Sequence, residues 1–115
     1  MKKLDVKLYK MVVNKGKEEV AKKWLSFLKS NAENAVEGLK NEKVYLESYF
    51  TTTEGNTMIV YCFMAADNID YANGVARKSE SELDKQHFAY GAECISQTEG
   101  EILDCFLYIE NIQSL

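Results

Sequence analysis

The chain has 115 residues, 46% of them hydrophobic and 28% charged, and carries a net charge of −4. That composition excludes disordered and fibrous classes, and the length suits one domain over residues 1–115. Such a domain buries roughly two-thirds of its unfolded surface without help from disulfides or metal.

Residues 3–13 alternate, with Leu4, Val6 and Leu8 on one side and Asp5, Lys7, Tyr9 and Met11 on the other. This is a strand of period two. Asn14-Lys15-Gly16 marks a turn. Residues 17–40 then read as helix. Val20, Trp24, Phe27/Leu28, Ala35 and Leu39 recur at three and four, with a weak point at residues 31–34. Residues 43–52 alternate again and form a second strand. Glu54-Gly55-Asn56 is a hairpin turn, and residues 57–65 are the returning strand. Asp67 or Asn68 caps a helical segment through about Lys78. Ser79 and Ser81 both stand at capping-box spacing, so a new helix is expected from there to about Ser96. Residues 97–101 are read as a loop around Gly100, and residues 102–109 as the last strand.

The order β-α-β-β-α-β, with the second helix broken, is the ferredoxin-like α+β plan. It puts the helices on one face of a four-stranded antiparallel sheet. The aliphatic positions Val6/Leu8, Val44/Leu46, Val60/Cys62 and Leu103/Cys105/Leu107 are assigned to the helix side. The opposite face then carries Lys7, Tyr9, Met11, Tyr45, Glu47, Tyr49, Ile59, Tyr61, Phe63, Asp104, Phe106 and Tyr108. Seven of the chain's 13 aromatics are in that set. An open apolar face of this kind marks an interaction surface, and a homodimer packed sheet to sheet is expected. An RNA-binding sheet is disfavoured, because Glu47 and Asp104 lie on that face and the basic-Gly-aromatic signature is missing.

Other partners and cofactors are excluded in turn. The 14 cations never run longer than two, so no nucleic-acid surface is expected. No stretch approaches the ~20 apolar residues of a membrane span. No apolar run follows Met1-Lys2-Lys3, so no secretory signal is expected. Cys62, Cys94 and Cys105 lack metal or disulfide spacing and read as buried free thiols of a cytoplasmic protein. With one His and one Arg, neither a multi-histidine metal site nor an arginine cluster can form. No metal or other cofactor is expected.

A chain of this order and length, with an aromatic open face, resembles the dimeric α+β barrel superfamily. That group includes antibiotic-biosynthesis-monooxygenase-like proteins, haem-degrading monooxygenases and rhamnose mutarotases. Leu39-x-x-Glu42-x-Val44-x-x-Glu47-Ser48-x-Phe50, followed by Asp84-x-x-His87, is similar to a bacterial family of unknown function within it. The haem-degrading branch implies a His on the second-half helix, and Ser79-x-x-x-Leu83-x-x-x-His87 is similar to that. That branch also uses a first-strand Asn and a Trp after the third strand. This chain has neither, and no haem turnover is expected.

His87 is the one side chain whose ordinary pKa lies near neutrality. Leu83, His87, Tyr90 and Cys94 share a helical stripe, and Asp84 stands one turn earlier. Catalytic candidates are therefore His87, Asp84 as its orienting carboxylate, and Glu47 between two tyrosines on the open face. Trp24, Tyr61 and Tyr90 are the candidate ligand-binding aromatics. The expected protein is a cytoplasmic homodimer with a pocket between helices and sheet for a small organic molecule. Cofactor-independent monooxygenase-like or isomerase-like catalysis competes with a non-catalytic ligand-binding or structural role.

Overall fold

The computed structural model describes residues 3–112. Its elements run β1 (Asp5–Val13), α1 (Glu18–Ser30), α2 (Ala32–Glu42), β2 (Val44–Glu54), β3 (Thr57–Ala66), α3 (Ile69–Lys78), α4 (Glu82–Cys94) and β4 (Ile95–Asp104). The strands form one antiparallel sheet in the order β2-β3-β1-β4. This is the ferredoxin-like α+β arrangement expected from the sequence.

Local chemistry sets most boundaries. The expected long first helix is two helices, divided at the weak point. There the Asn31 side-chain amide donates to the Phe27 carbonyl at 2.8 Å and competes with the helical ladder. α2 stops at Lys43, which adopts the left-handed conformation at φ 58. Asn68 caps α3 by accepting from the Tyr71 N–H at 2.8 Å. The Asp5 carboxylate takes the neighbouring Ile69 N–H, also at 2.8 Å, and so ties β1 to the start of α3. Ser81 caps α4 by accepting from the Asp84 N–H at 3.3 Å.

β4 corrects the sequence reading. The last helix ends at Cys94, and the strand begins at Ile95 rather than at residue 102. Gly100 is not the centre of a loop. It sits in the strand at φ 133 opposite Met11, where the β1–β4 register shifts. A bulge absorbs the break that composition suggested. The strand ends at Asp104, so Cys105 is exposed rather than buried, and Phe106 and Ile109 project from the segment that follows. Cys62 and Cys94 are buried, as expected.

The face assignment is also corrected. The Cα partners Tyr9↔Cys62, Met11↔Val60, Glu47↔Met64 and Tyr49↔Cys62 put these residues on the same side as buried Val60 and Met64. That side packs against the helices. Val6 and Leu8 therefore face the open side, with Leu46, Phe50, Tyr61, Phe63 and Leu103. In β2 the cause is a bulge between Val44 and Leu46. Strict alternation from buried Val44 would turn Leu46 inward and Glu47 and Tyr49 outward. One extra residue, Tyr45, reverses the phase. In β1 the aliphatic side is the open one, while Met11 packs against the cluster containing Val13 and Tyr9 against the one containing Val44 and Met64.

Two buried clusters fill the layer between sheet and helices. Val13, Ala21, Trp24, Val60 and Cys94 join α1 and α4 to the sheet. Val44, Met64, Ala66, Ile69 and Ala72 do the same for α3.

Candidate functional site

Between these clusters lies a cavity of about 810 Å³, within the range that admits a small organic ligand. Its floor is sheet, from Tyr9, Tyr49 and Cys62. Its walls come from Trp24 on α1 and from His87 and Phe88 on α4.

Trp24 and His87 meet across 63 residues of sequence. The indole Nε1–H donates to His87 Nδ1 at 3.0 Å. Their rings lie 29° apart with centroids separated by 5.7 Å, and Tyr49 packs edge-on against Trp24 at 6.0 Å. A ring nitrogen that accepts a hydrogen bond carries no proton, so in neutral His87 the proton is on Nε2. Burial lowers the His87 pKa below its ordinary 6.5, against an opposing pull from Glu47 and Asp84. The indole bond acts in the same direction as burial, because imidazolium could not accept it. At neutral pH His87 is therefore a hydrogen-bond donor through Nε2. Its one basic nitrogen, Nδ1, is occupied by the Trp24 indole.

The two tyrosine-flanked features expected of Glu47 separate in space. The Tyr49 hydroxyl donates to Glu47 Oε1 at 2.6 Å. The Tyr45 hydroxyl donates instead to Asp67, at 2.7 Å. Burial and the Glu47 charge raise the Tyr49 pKa well above 10. Burial, with Glu47 adding to it, also pushes the Cys62 thiol up to about 12. Both cavity groups are thus held neutral. The Asp84 backbone N–H donates to the Ser81 cap, and its carboxylate acts on His87 through its charge, while Trp24 fixes the ring.

Of the aromatic candidates, Trp24 lines the cavity. Tyr90 packs on Phe27 with centroids 5.5 Å apart and supports the α1–α4 core. Tyr61 lies on the opposite side of the sheet, opposite Lys10 in the register. Sequence reasoning missed Tyr9, Tyr49 and Cys62, whose inward phase depends on the strand registers just described. It also missed Glu42. This residue ends α2 almost completely buried, and its pKa rises to about 7 through burial and the charges of Asp84 and Glu47. Among the described residues, no three His, Cys, Asp or Glu side chains gather as a metal site, and no helix is long and apolar enough to cross a membrane.

Residues 4–113 match the model of a family of unknown function, DUF6176. The chain belongs to the DUF6176 family. No curated protein matches this DUF6176 sequence. Its fold is that of antibiotic-biosynthesis-monooxygenase-like proteins. A candidate enzyme of that name from Bacteriodes thetaiotaomicron superposes with TM-score 0.60 at 13% identity, covering 92% of this chain and 90% of that one. A second, from Nitrosomonas europaea, gives 0.53 at 13%, with 92% and 93% covered. A conserved protein from Methanosarcina mazei Go1 gives 0.50 at 21%, with 84% and 88% covered. At these identities the likeness is one of fold.

Proposed function

We propose that this DUF6176 chain binds a small organic molecule bearing a carbonyl or similar oxygen, and that the His87 Nε2–H donates to that oxygen. The carrying observation is the Trp24–His87 hydrogen bond in the cavity wall, which fixes a neutral ring with one proton to offer. In a monooxygenase-like or isomerase-like reaction, which the fold makes a natural reading, such a donor would stabilise the enolate formed when a neighbouring carbon loses its proton. In that reading the proton would pass to the Tyr49 hydroxyl as Tyr49 gives its own to Glu47, which lies behind the cavity floor. A non-catalytic binding role is the second reading. It is favoured by the Trp24 bond that engages His87 Nδ1 and by the neutral Tyr49 and Cys62, which leave no free basic atom in the wall.

The proposed assembly is a cytoplasmic homodimer. Leu46, Phe50 and Leu103 are 49%, 58% and 38% exposed on the open sheet face, an apolar surface that a second copy would cover. Three unpaired cysteines suit a reducing compartment. Light scattering should report about twice 13.1 kDa, and Phe50→Glu should yield a folded monomer. A wild-type monomer at high concentration would refute the dimer.

One Trp and one His make the cavity readable by NMR. Carbonyl-bearing aromatic fragments should shift the Trp24 indole and His87 ring resonances together, and His87→Phe should weaken their binding. A fragment screen that moves neither resonance would refute the cavity reading.

A further inference from the structure

The chain is acidic, with 18 carboxylate side chains against 14 cations. The cavity wall reverses that balance. Its charged residues are Arg77, from the last turn of α3, and Lys85, from the first turn of α4, and no carboxylate lines it. Both are solvent-exposed, which places them at the mouth. Arg77 makes no ion pair with any described residue. The contact of Lys85 with Glu82 is 3.9 Å long and exposed, too weak to occupy the ammonium.

The deep end has the opposite character. Glu47 and Asp84 project negative potential onto His87, and Tyr49, Cys62 and Trp24 surround it with neutral, largely apolar surface. An anionic group is therefore repelled from the floor and attracted at the rim. We infer that the ligand is a planar apolar molecule carrying a carboxylate, seated with its ring system against Trp24 and Tyr49 and its carboxylate between Arg77 and Lys85. This rests on the cavity reading above and adds the substrate class. The guanidinium supplies two parallel N–H donors for a carboxylate, and the ammonium adds charge from the other helix. The ligand's second oxygen, the one facing His87, is neutral. The cavity thus sorts two oxygens by charge along its length.

The test compares 2-naphthoate with 2-naphthamide, equal in shape and different in charge, by titrating the Trp24 indole resonance. Naphthoate should bind about three- to tenfold more tightly at low salt. That advantage should shrink in about 0.5 M salt and disappear in Arg77→Gln/Lys85→Gln, whose two sites are exposed and tolerant of change. Equal binding of the two compounds, or an advantage that survives the double substitution, would overturn the carboxylate assignment while leaving the cavity reading intact. If neither compound shifts the indole resonance, both fall.

Discussion

Replacing Glu42 by Gln should stabilise the protein at alkaline pH and leave it unchanged in acid. Glu42 closes α2, where the helix dipole is negative, and its carboxyl is buried facing the charges of Asp84 on α4 and Glu47 on β2. Burial first, then the charges of Asp84 and Glu47, favour the protonated form and raise the pKa from 4.5 to about 7. Between those values the folded chain holds a proton that the unfolded chain has released. Stability contributed by this group therefore falls as pH rises from 4.5 to 7, and the loss is complete above 7. At ~1.4 kcal/mol per pH unit the full difference approaches ~3 kcal/mol. Asp84 and Glu47 are only half-buried, and solvent screening of their charges reduces this to about 1–2 kcal/mol. Glutamine keeps the shape and never ionises. Urea denaturation at pH 8 should show Glu42→Gln more stable by about 1–2 kcal/mol, with the gain disappearing near pH 4.5. A gain that does not depend on pH, or a loss at pH 8, would refute the reasoning.

His87 carries the opposite dependence. Its folded pKa lies below 6.5, so the stability it contributes is present at neutral pH and is lost as pH falls through 6.5 toward the folded value. Substituting Phe should flatten that acid limb in a denaturation series. Gly100→Ala should cost about 1–3 kcal/mol in thermal melts, because a Cβ there would lie 2.8 Å from the Lys10 carbonyl at a φ that side chains avoid. A maleimide reagent on the native protein should modify Cys105 and spare Cys62 and Cys94 until denaturant is added.

The element order was legible because it rests on local signals. Asn68 and Ser81 cap where their side chains suggest, and the Gly55 turn joins β2 to β3 in the expected hairpin. The site was half legible. His87 and Trp24 stand out as single residues on apolar helical stripes, and the structure joins them. The sheet's contribution was not legible, because alternation gives a strand two faces without saying which is inside. In β1 the larger aliphatic residues suggested the wrong one. In β2 a bulge, which carries no compositional mark, shifted Glu47 and Tyr49 across the sheet. β4 was displaced because Gly100 signals a break equally well whether the chain turns or bulges.

The β2 bulge also divides the strand into positions that tolerate changes in chain length and positions that do not. Tyr45 is the extra residue in the Val44–Leu46 register shift. Loss of that one codon would straighten the strand and sacrifice the bond to Asp67, yet Val44 and Glu47 would keep the faces they now occupy. Loss of Ser48 would be a different event. Glu47 and Tyr49 would become neighbours in the chain, point to opposite sides, and break the 2.6 Å bond between hydroxyl and carboxylate. Removal of Tyr45 thus shortens the chain while the cavity floor stays chemically the same, whereas removal of Ser48 alters that floor.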